Sequence, residues 1–332
     1  MITSWIVPTH GDPLGSVQDF IIEVWQEAGL DALLVSQEDS RQASLLEDPT
    51  QVKRVNPFTP VMAANIAKQV PTLIAEKPKR RLGVLLRPCE ARALTTKARV
   101  EGFPTENLVT ISADCLGTYP LEDYRWRHDR SGAEEKIEHE SLQFARQGGI
   151  AAYRYRSACQ LCTGPDAHGA DMNIGVIGLP VRQEFLVSGQ QATLERLGLA
   201  GLTGLPLEDE LAAQRQRTLG KLIQNRAQTR ERILDGLAEI LPTDLDALIQ
   251  QLDSCGDCRA CLNTCPVCTA EFPRQTLEGG YRRQDVLHWL VSCAGCGMCE
   301  QTCPKHVPLC TIFSYIREQL AEDLMPAQGR IH

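Results

Sequence analysis

Cysteines at regular spacing dominate the C-terminal third of this chain. Eight of the fourteen cysteines form two copies of the pattern C-x2-C-x2-C-x3-C-P. The two copies are Cys255, Cys258, Cys261 and Cys265, then Cys293, Cys296, Cys299 and Cys303. Cysteines three residues apart can bind three corners of a [4Fe-4S] cluster, while the cysteine before proline binds the neighbouring cluster. The spacing therefore predicts two clusters and one-electron chemistry.

The crossed arrangement divides these cysteines into two ligand sets. One set is Cys255, Cys258, Cys261 and Cys303, and the other is Cys293, Cys296, Cys299 and Cys265. Zinc sites ordinarily use two C-x2-C pairs rather than triplets followed by Cys-Pro. Disulfides are expected in secreted proteins, and the N-terminal MITSWIVPTHGDP lacks the basic start and apolar core of a signal peptide. Clusters are therefore favoured over zinc and over disulfides.

Length and composition limit the classes of protein. The 332 residues exceed one typical domain, so two domains are expected. An apolar content of 43% is ordinary for a globular protein with a core. The net charge of −8 argues against nucleic acid as a partner, and no apolar stretch approaches the roughly 18 residues of a membrane span. A cytoplasmic location, where thiols stay reduced, is the expectation.

Apolar patterns in the first two hundred residues predict an α/β domain, because strands alternate with helices. A helix is predicted over residues 17–28 and another from Pro88 onward, where proline occupies the first turn. Strands are predicted over 33–35, 82–86, 108–112 and 174–179. Residues 41–60 are expected to form a loop, and the charged residues 120–147 a surface insertion.

The remaining sequence predicts helices. Residues 207–240 are charged and mostly helical in pattern, which indicates a linker or a docking arm. A helical segment at 283–291 separates the two cysteine motifs and favours an α-helical two-cluster ferredoxin domain. We therefore predict an α/β domain over 1–206, a charged helical linker over 207–240 and a helical 2×[4Fe-4S] ferredoxin domain over 241–332.

Four further cysteines stand at places suited to a third metal site. Cys89 and Cys115 each follow a predicted strand, and Cys159 and Cys162 form a C-x2-C pair. A helix N-terminus, as predicted at Cys89, lowers the pKa of a thiol and favours the thiolate that metals bind. Spacing alone leaves the alternative open that these are buried cysteines acting as small hydrophobic residues.

Short motifs around these four cysteines resemble a known family. The segments 86–90 (LRPCE), 112–116 (SADCL), 159–162 (CQLC) and 170–175 (ADMNIG) resemble, in the same order, segments of the beta-subunit family of deazaflavin-reducing hydrogenases and formate dehydrogenases. The C-terminal part resembles the small ferredoxin-like subunit of heterodisulfide reductases. The resemblance implies that Cys89, Cys115, Cys159 and Cys162 hold a third [4Fe-4S] cluster.

The family resemblance also implies partners and a possible flavin. It implies a hetero-oligomer with a formate dehydrogenase or hydrogenase catalytic subunit and a heterodisulfide-reductase-like flavoprotein. Family members that bind FAD carry a glycine-rich segment ahead of the Pro-Cys motif, whereas residues 56–65 here contain no glycine.

Two functions therefore compete at the level of sequence. The first is an electron-transfer subunit that relays single electrons through three clusters. The alternative is a flavin-bearing subunit that exchanges hydride between FAD and a deazaflavin or nicotinamide. We predict no catalytic residues, and the sequence leaves the residues that would bind a flavin unassigned. We expect Cys268 and Cys310 to pack near the clusters, with the alternative that one of them replaces an assigned ligand.

Overall fold

The structure is a computed structural model that describes residues 1–36, 43–131, 141–148, 154–255, 258–268, 273–276 and 280–324. Its largest feature is one mixed sheet in the order β3-β2-β4-β5-β6-β7-β1-β8. The strands are β1 Ile2–Pro8, β2 Ala32–Val35, β3 Ser44–Leu46, β4 Leu82–Leu86, β5 Leu108–Ala113, β6 Met172–Gly175, β7 Glu184–Gln190 and β8 Leu205–Pro206. All eight lie ahead of residue 207, so this sheet belongs to the N-terminal part.

Helices surround the sheet and make up most of the C-terminal part. In the N-terminal part they are α1 Pro13–Ala28, α2 Val70–Glu76, α3 Pro88–Glu101, α4 Leu121–Ser131, α5 Ser157–Gln160 and α6 Gln191–Leu197. They continue with α7 Asp209–Leu237, α8 Leu245–Asp253, α9 Ala260–Thr264, α10 Arg283–Ser292, α11 Met298–Gln301 and α12 Leu309–Leu324. Within the described residues, none of the helices combines the length and apolarity that crossing a membrane would require.

The strand sequences explain where the sheet is buried. β2 and β4 are continuous apolar runs whose residues are all buried, as expected for parallel strands covered on both faces. β2, β4, β5 and β6 run parallel, while β7 runs antiparallel to β6 and β1. The carboxyl ends of β4 and β5 therefore meet at one edge of the sheet, and both lead into cysteine-bearing segments.

Predicted elements agree with the structure in part. The strand predicted over 82–86 coincides with β4, and the helix predicted from residue 17 begins at Pro13, where the Asp12 side chain caps it. The predicted strand 174–179 ends at Gly175, because the next two backbone N–H groups donate to the carboxylate of Asp114 instead of a strand. The described part of 41–60 contains β3 and a 3₁₀ helix, Pro49–Arg54.

Two segments that the sequence predicts to be solvent-exposed or connecting make buried or tertiary contacts in the structure. Residues 132–140 of the predicted surface insertion lie outside the described residues, but Tyr124, Leu142 and Ala145 within its span are buried. The predicted linker is helical as α7 and contacts both parts of the chain. Arg215 of this helix bonds Asp114 in the N-terminal part, and Arg230 bonds Ser314 in α12.

Candidate functional site

The first cysteine group comprises Cys255, Cys258, Cys261 and Cys303. All four line one cavity, together with Tyr281 and Trp289. Burial, followed by the charges of Cys255 and Cys303, raises the pKa of Cys261 to about 11. The structure therefore brings Cys303 of the second motif to the three leading cysteines of the first motif.

The second cysteine group comprises Cys265, Cys293, Cys296 and Cys299. Burial first, and then the charge of Cys265, raises the pKa of Cys296 to about 12. Burial and the charges of nearby cysteines, Cys265 among them, also raise the pKa of Cys299 well above its ordinary value. Cys265 of the first motif thus lies beside the leading cysteines of the second motif.

Two cysteines outside the predicted ligand sets accompany the second group. Cys268 exchanges a hydrogen bond with Cys265, which lowers the pKa of Cys265 to about 6 and raises that of Cys268. Cys310 is buried, and its backbone N–H donates to Glu300 at 2.9 Å. Both cysteines are buried, and they influence the pKa values of Cys265 and Cys299 in the second group.

The N-terminal cysteine group comprises Cys89, Cys115, Cys159 and Cys162. Cys89 lies in the first turn of α3 directly after β4, and Cys115 follows β5, so the parallel strands deliver both to one edge. Cys159 lies in α5, and Cys162 follows that helix. The backbone N–H of Cys115 donates to Pro165 at 2.8 Å, which ties the end of β5 to the segment that follows Cys162.

Burial and neighbouring charges perturb the pKa values of three thiols in this group. Burial and then the charge of Cys159 raise the pKa of Cys115 to about 11, and Cys162 adds to the rise. Burial also raises the pKa of Cys89, with contributions from Glu90 and Cys115. Cys159 differs from Cys89 and Cys115, because the charge of Arg156 and hydrogen bonds with Thr118 outweigh its burial and lower its pKa. Its thiolate, the form that binds metal, is therefore favoured.

Asp114 holds the N-terminal group in place. This carboxylate is 1% exposed. It accepts backbone N–H groups from Ala167 at 2.7 Å and from Val176 and Ile177 at 2.8 Å. Arg215 of α7 donates to both of its oxygens, at 2.7 and 3.1 Å. One side chain thus fixes the segment of Cys115, the turn after Cys162, the end of β6 and helix α7. Asp114 belongs to the segment 112–116 (SADCL), but its sequence context does not predict this role.

The N-terminal group packs directly against the second group. Cys89 contacts a small buried cluster formed by Met62, Cys296 and Met298. The amide of Gln301 donates to the backbone oxygen of Met62 at 3.1 Å, and Ser157 donates to Glu300 across the same boundary. One apolar core of the C-terminal part contains the buried Cys265 and Cys268. Cys261 of the first group and Cys299 of the second group both pack against this core. The second group therefore adjoins both of the others.

Two buried arginines and one half-buried arginine supply positive charge around the N-terminal group. Arg156 and Arg226 are 7% and 2% exposed, and Arg226 donates to the backbone oxygen of Cys162 at 3.1 Å. Arg92 donates to the backbone oxygens of Gly164 at 3.0 Å and Ala294 at 3.5 Å. Within the described residues, none of the three pairs with a carboxylate, and the Nε of Arg226 has no hydrogen-bond partner.

This arrangement fits a cluster held by four thiolates. Thiolates are soft ligands that suit iron–sulfur clusters, and such a cluster with its four ligands is anionic. Buried cations need a compensating negative charge, which the arginines do not find in carboxylates. Among the described residues, no compact set of three or more His, Cys, Asp or Glu side chains is placed to hold a single metal ion.

A glycine lies where the dicluster motif meets the helix that carries Cys159. A Cβ on Gly297 would lie 2.3 Å from the Cβ of Ala158, the residue before Cys159. Gly297 also has a φ of 68°, but Arg259, at the corresponding position of the first motif, adopts 47° with a full side chain. The backbone conformation therefore tolerates a side chain at this motif position, whereas the contact with Ala158 does not.

We expect Gly297→Ala to lower the thermal unfolding midpoint more than Gly295→Ala does. Gly295 has a φ of 66° in the same loop, and a Cβ there would meet nothing within 4 Å, so it is a matched control for backbone strain alone. Overpacking at Gly297 adds about 1–3 kcal/mol of destabilisation. Thermal unfolding of both variants measures the difference, and equal midpoints would show that Ala158 does not restrict this position.

Comparisons with known proteins agree with the C-terminal assignment. Residues 251–307, which contain all eight motif cysteines, match the family model described as a 4Fe-4S dicluster domain. No curated protein matches the chain. Among solved structures, a chain of the F420-reducing [NiFe] hydrogenase complex from Methanosarcina barkeri is similar, with 11% identity and a TM-score of 0.49. The similarity covers 70% of this chain and 91% of that chain. The C-terminal part thus contains a 4Fe-4S dicluster domain over residues 251–307.

Proposed function

We propose that this chain is an electron-transfer subunit that carries three [4Fe-4S] clusters within a multi-subunit oxidoreductase. The observation that carries the proposal is the row formed by the three cysteine groups, in which the second group adjoins both others. Cys89, Cys115, Cys159 and Cys162 would hold one cluster, Cys293, Cys296, Cys299 and Cys265 the next, and Cys255, Cys258, Cys261 and Cys303 the last. When bound, the clusters supply one-electron redox centres.

The protein's own contribution is to fix and insulate these centres. The parallel strands β4 and β5 place Cys89 and Cys115 at one sheet edge, and Asp114 pins the segments around them. Buried apolar contacts exclude water where Cys89 meets Cys296 and Met298. Hydrogen bonds to sulfur and local charge, as at Cys159, tune how readily each centre is reduced.

The proposal extends to partners, units and location. The sequence resemblance supports a hydrogenase or formate dehydrogenase catalytic subunit on one side and a heterodisulfide-reductase-like flavoprotein on the other. We propose that the chain consists of three units: an α/β unit over 1–206, a helical linker over 207–240 and a helical two-cluster ferredoxin unit over 241–332. A cytoplasmic location suits clusters that require reduced thiols.

Iron content tests the third cluster. Cys89→Ala is expected to lower the iron of the anaerobically isolated chain from about twelve to about eight atoms, because a cubane that loses one ligand is not retained in full. Cys310→Ala is the control, since this thiol is also buried but belongs to no proposed ligand set, and it should retain about twelve. Unchanged iron in Cys89→Ala would refute the third cluster.

A flavin-bearing subunit is the second candidate, and one observation favours it. A cleft of about 520 Å³ lies between the two parts beside the N-terminal group, lined in part by Tyr155 and Arg156. A space of this size suits an organic cofactor. Its lining contains three carboxylates, those of Glu122, Asp123 and Glu300, against two arginines, Arg125 and Arg156. The carboxylates oppose a diphosphate and outnumber the arginines, so the lining does not favour FAD. Released flavin separates the candidates: about one per chain supports the flavin subunit, and none supports the relay.

A further inference from the structure

Arg156 occupies the boundary between the N-terminal part and the dicluster domain. It precedes α5 and is 7% exposed. On its own side, its Nε donates to the hydroxyl of Thr118 at 2.8 Å. On the opposite side, its Nη1 donates to Oε1 of Gln301 at 3.1 Å and approaches the sulfur of Met298 at 3.6 Å. The planar guanidinium thus joins two units through separate nitrogens.

The same guanidinium is directed at sulfur atoms. Its Nη2 lies 3.8 Å from the Sγ of Cys159 and 3.4 Å from the sulfur of Met62. Cys159 is thus a direct neighbour of the guanidinium, and the two methionines that it approaches form one buried cluster with Cys296, against which Cys89 packs. Those three cysteines include members of both the N-terminal group and the second group.

Carboxylates do not neutralise Arg156 by direct contact within the described residues. Glu90, whose charge it does sense, uses its two oxygens to accept the backbone N–H groups of Ile66 and Arg87, and it pairs with the Arg87 side chain at 3.7 Å. Glu300 accepts from Ser157 and Cys310. A buried guanidinium with only neutral oxygen and sulfur acceptors requires another source of negative charge.

We propose that Arg156 is a positioning residue shared by two cluster sites, where it orients Cys159 and stabilises negative charge on both the N-terminal group and the second group. This inference rests on the proposed function, because it requires a cluster at each site. A fixed positive charge in a poorly solvated region favours the state with one more electron. Arg156 therefore makes these two centres easier to reduce, while leaving the first group unaffected.

The test compares Arg156→Gln and Arg156→Lys with the wild-type full chain, anaerobically isolated. Each protein is assayed for iron and then titrated with redox mediators while the cluster signals are followed by electron paramagnetic resonance. Arg99→Gln is the matched control, because it removes one arginine charge from the exposed end of α3. Arg156→Gln is expected to shift two midpoint potentials to more negative values and to leave the third at the wild-type value.

Arg156→Lys separates charge from geometry. Lysine keeps the positive charge but cannot reproduce the fork that spans Thr118, Cys159 and Gln301, so we expect a smaller shift of the same two potentials. Arg99→Gln should move none of the three. If Arg156→Gln does not retain its iron, Arg156→Lys carries the test, and wild-type potentials in that variant would overturn the proposed positioning role of the guanidinium.

Failure of this inference is distinguishable from failure of the proposed function. A wild-type chain with about eight irons would refute the third cluster and, with it, the proposed relay. A wild-type chain with about twelve irons, combined with unshifted potentials in Arg156→Gln, would refute only the role of Arg156. A shift of all three potentials by the same amount would also overturn the inference, since it predicts no effect on the first group.

Discussion

Asp114→Ala is expected to destabilise the N-terminal part by about 3–5 kcal/mol, because removing one partner of a buried ion pair leaves the other charge uncompensated. Arg215 is the partner left behind, with its side chain 11% exposed. Three backbone N–H groups, those of Ala167, Val176 and Ile177, would lose their acceptor as well. Thermal unfolding of the anaerobic protein should show a midpoint roughly 10 °C lower.

A second readout follows from the position of Asp114 beside Cys115. The segments that it pins carry two cysteines of the N-terminal group, so the variant should also lose iron there. Asp171→Ala is the matched control, since that carboxylate accepts from Thr110 in the same sheet but is 19% exposed and makes a longer ion pair of 3.7 Å with Arg196. We expect a loss of about 1 kcal/mol and full iron. Equal destabilisation by the two substitutions would contradict the pinning role of Asp114.

Charge and hydrogen bonding at Asp114 can be separated further. Arg215→Met removes the cation but keeps the carboxylate and its three backbone donors. The double variant Asp114→Asn with Arg215→Met removes the charges of both partners and should be more stable than Asp114→Asn alone. A double variant that is less stable than either single variant would show that the ion pair is not what makes the site sensitive.

Local patterns predicted much of the sheet from sequence. β4 and β5 are apolar runs, and a buried parallel strand has that composition regardless of its neighbours. The predicted strand 174–179 extends beyond the end of β6 at Gly175. The acceptor that ends β6 is Asp114, which lies about sixty residues earlier in the chain. No periodicity within residues 174–179 carries information about a carboxylate at that distance.

The part of the candidate site that the sequence predicts is the set of cysteines with a fixed spacing. Spacing alone predicts how the eight motif cysteines are divided between two clusters, and that division stays a prediction. The structure places Cys303 in the cavity lined by the leading cysteines of the first motif, and Cys265 in the core against which Cys293 and Cys299 pack. The roles of Arg156, Arg226 and Gly297 could not be predicted, because each depends on a contact between segments at least sixty residues apart. The sequence around an arginine does not distinguish a buried side chain from a solvent-exposed one, because the difference depends on packing against distant segments.

Cys303→Ala is expected to remove the cluster of the first group and to leave that of the second group in place. Iron should fall by about four atoms per chain, from about twelve to about eight. The reason is spatial, since Cys303 lines the same cavity as Cys255, Cys258 and Cys261 although it belongs to the second motif. Iron analysis with electron paramagnetic resonance of the reduced protein measures the loss.

Double variants identify which cluster has been lost, because two ligands of one cluster cannot remove it twice. Cys303→Ala combined with Cys261→Ala should retain about eight irons, the same as either single variant. Cys303→Ala combined with Cys299→Ala should retain about four, because the crossed assignment places these two residues in different clusters. A sequential assignment, in which each motif binds its own cluster, predicts the opposite pattern in both pairs. Retention of about eight irons by Cys303→Ala with Cys299→Ala would therefore show that the crossed assignment is wrong.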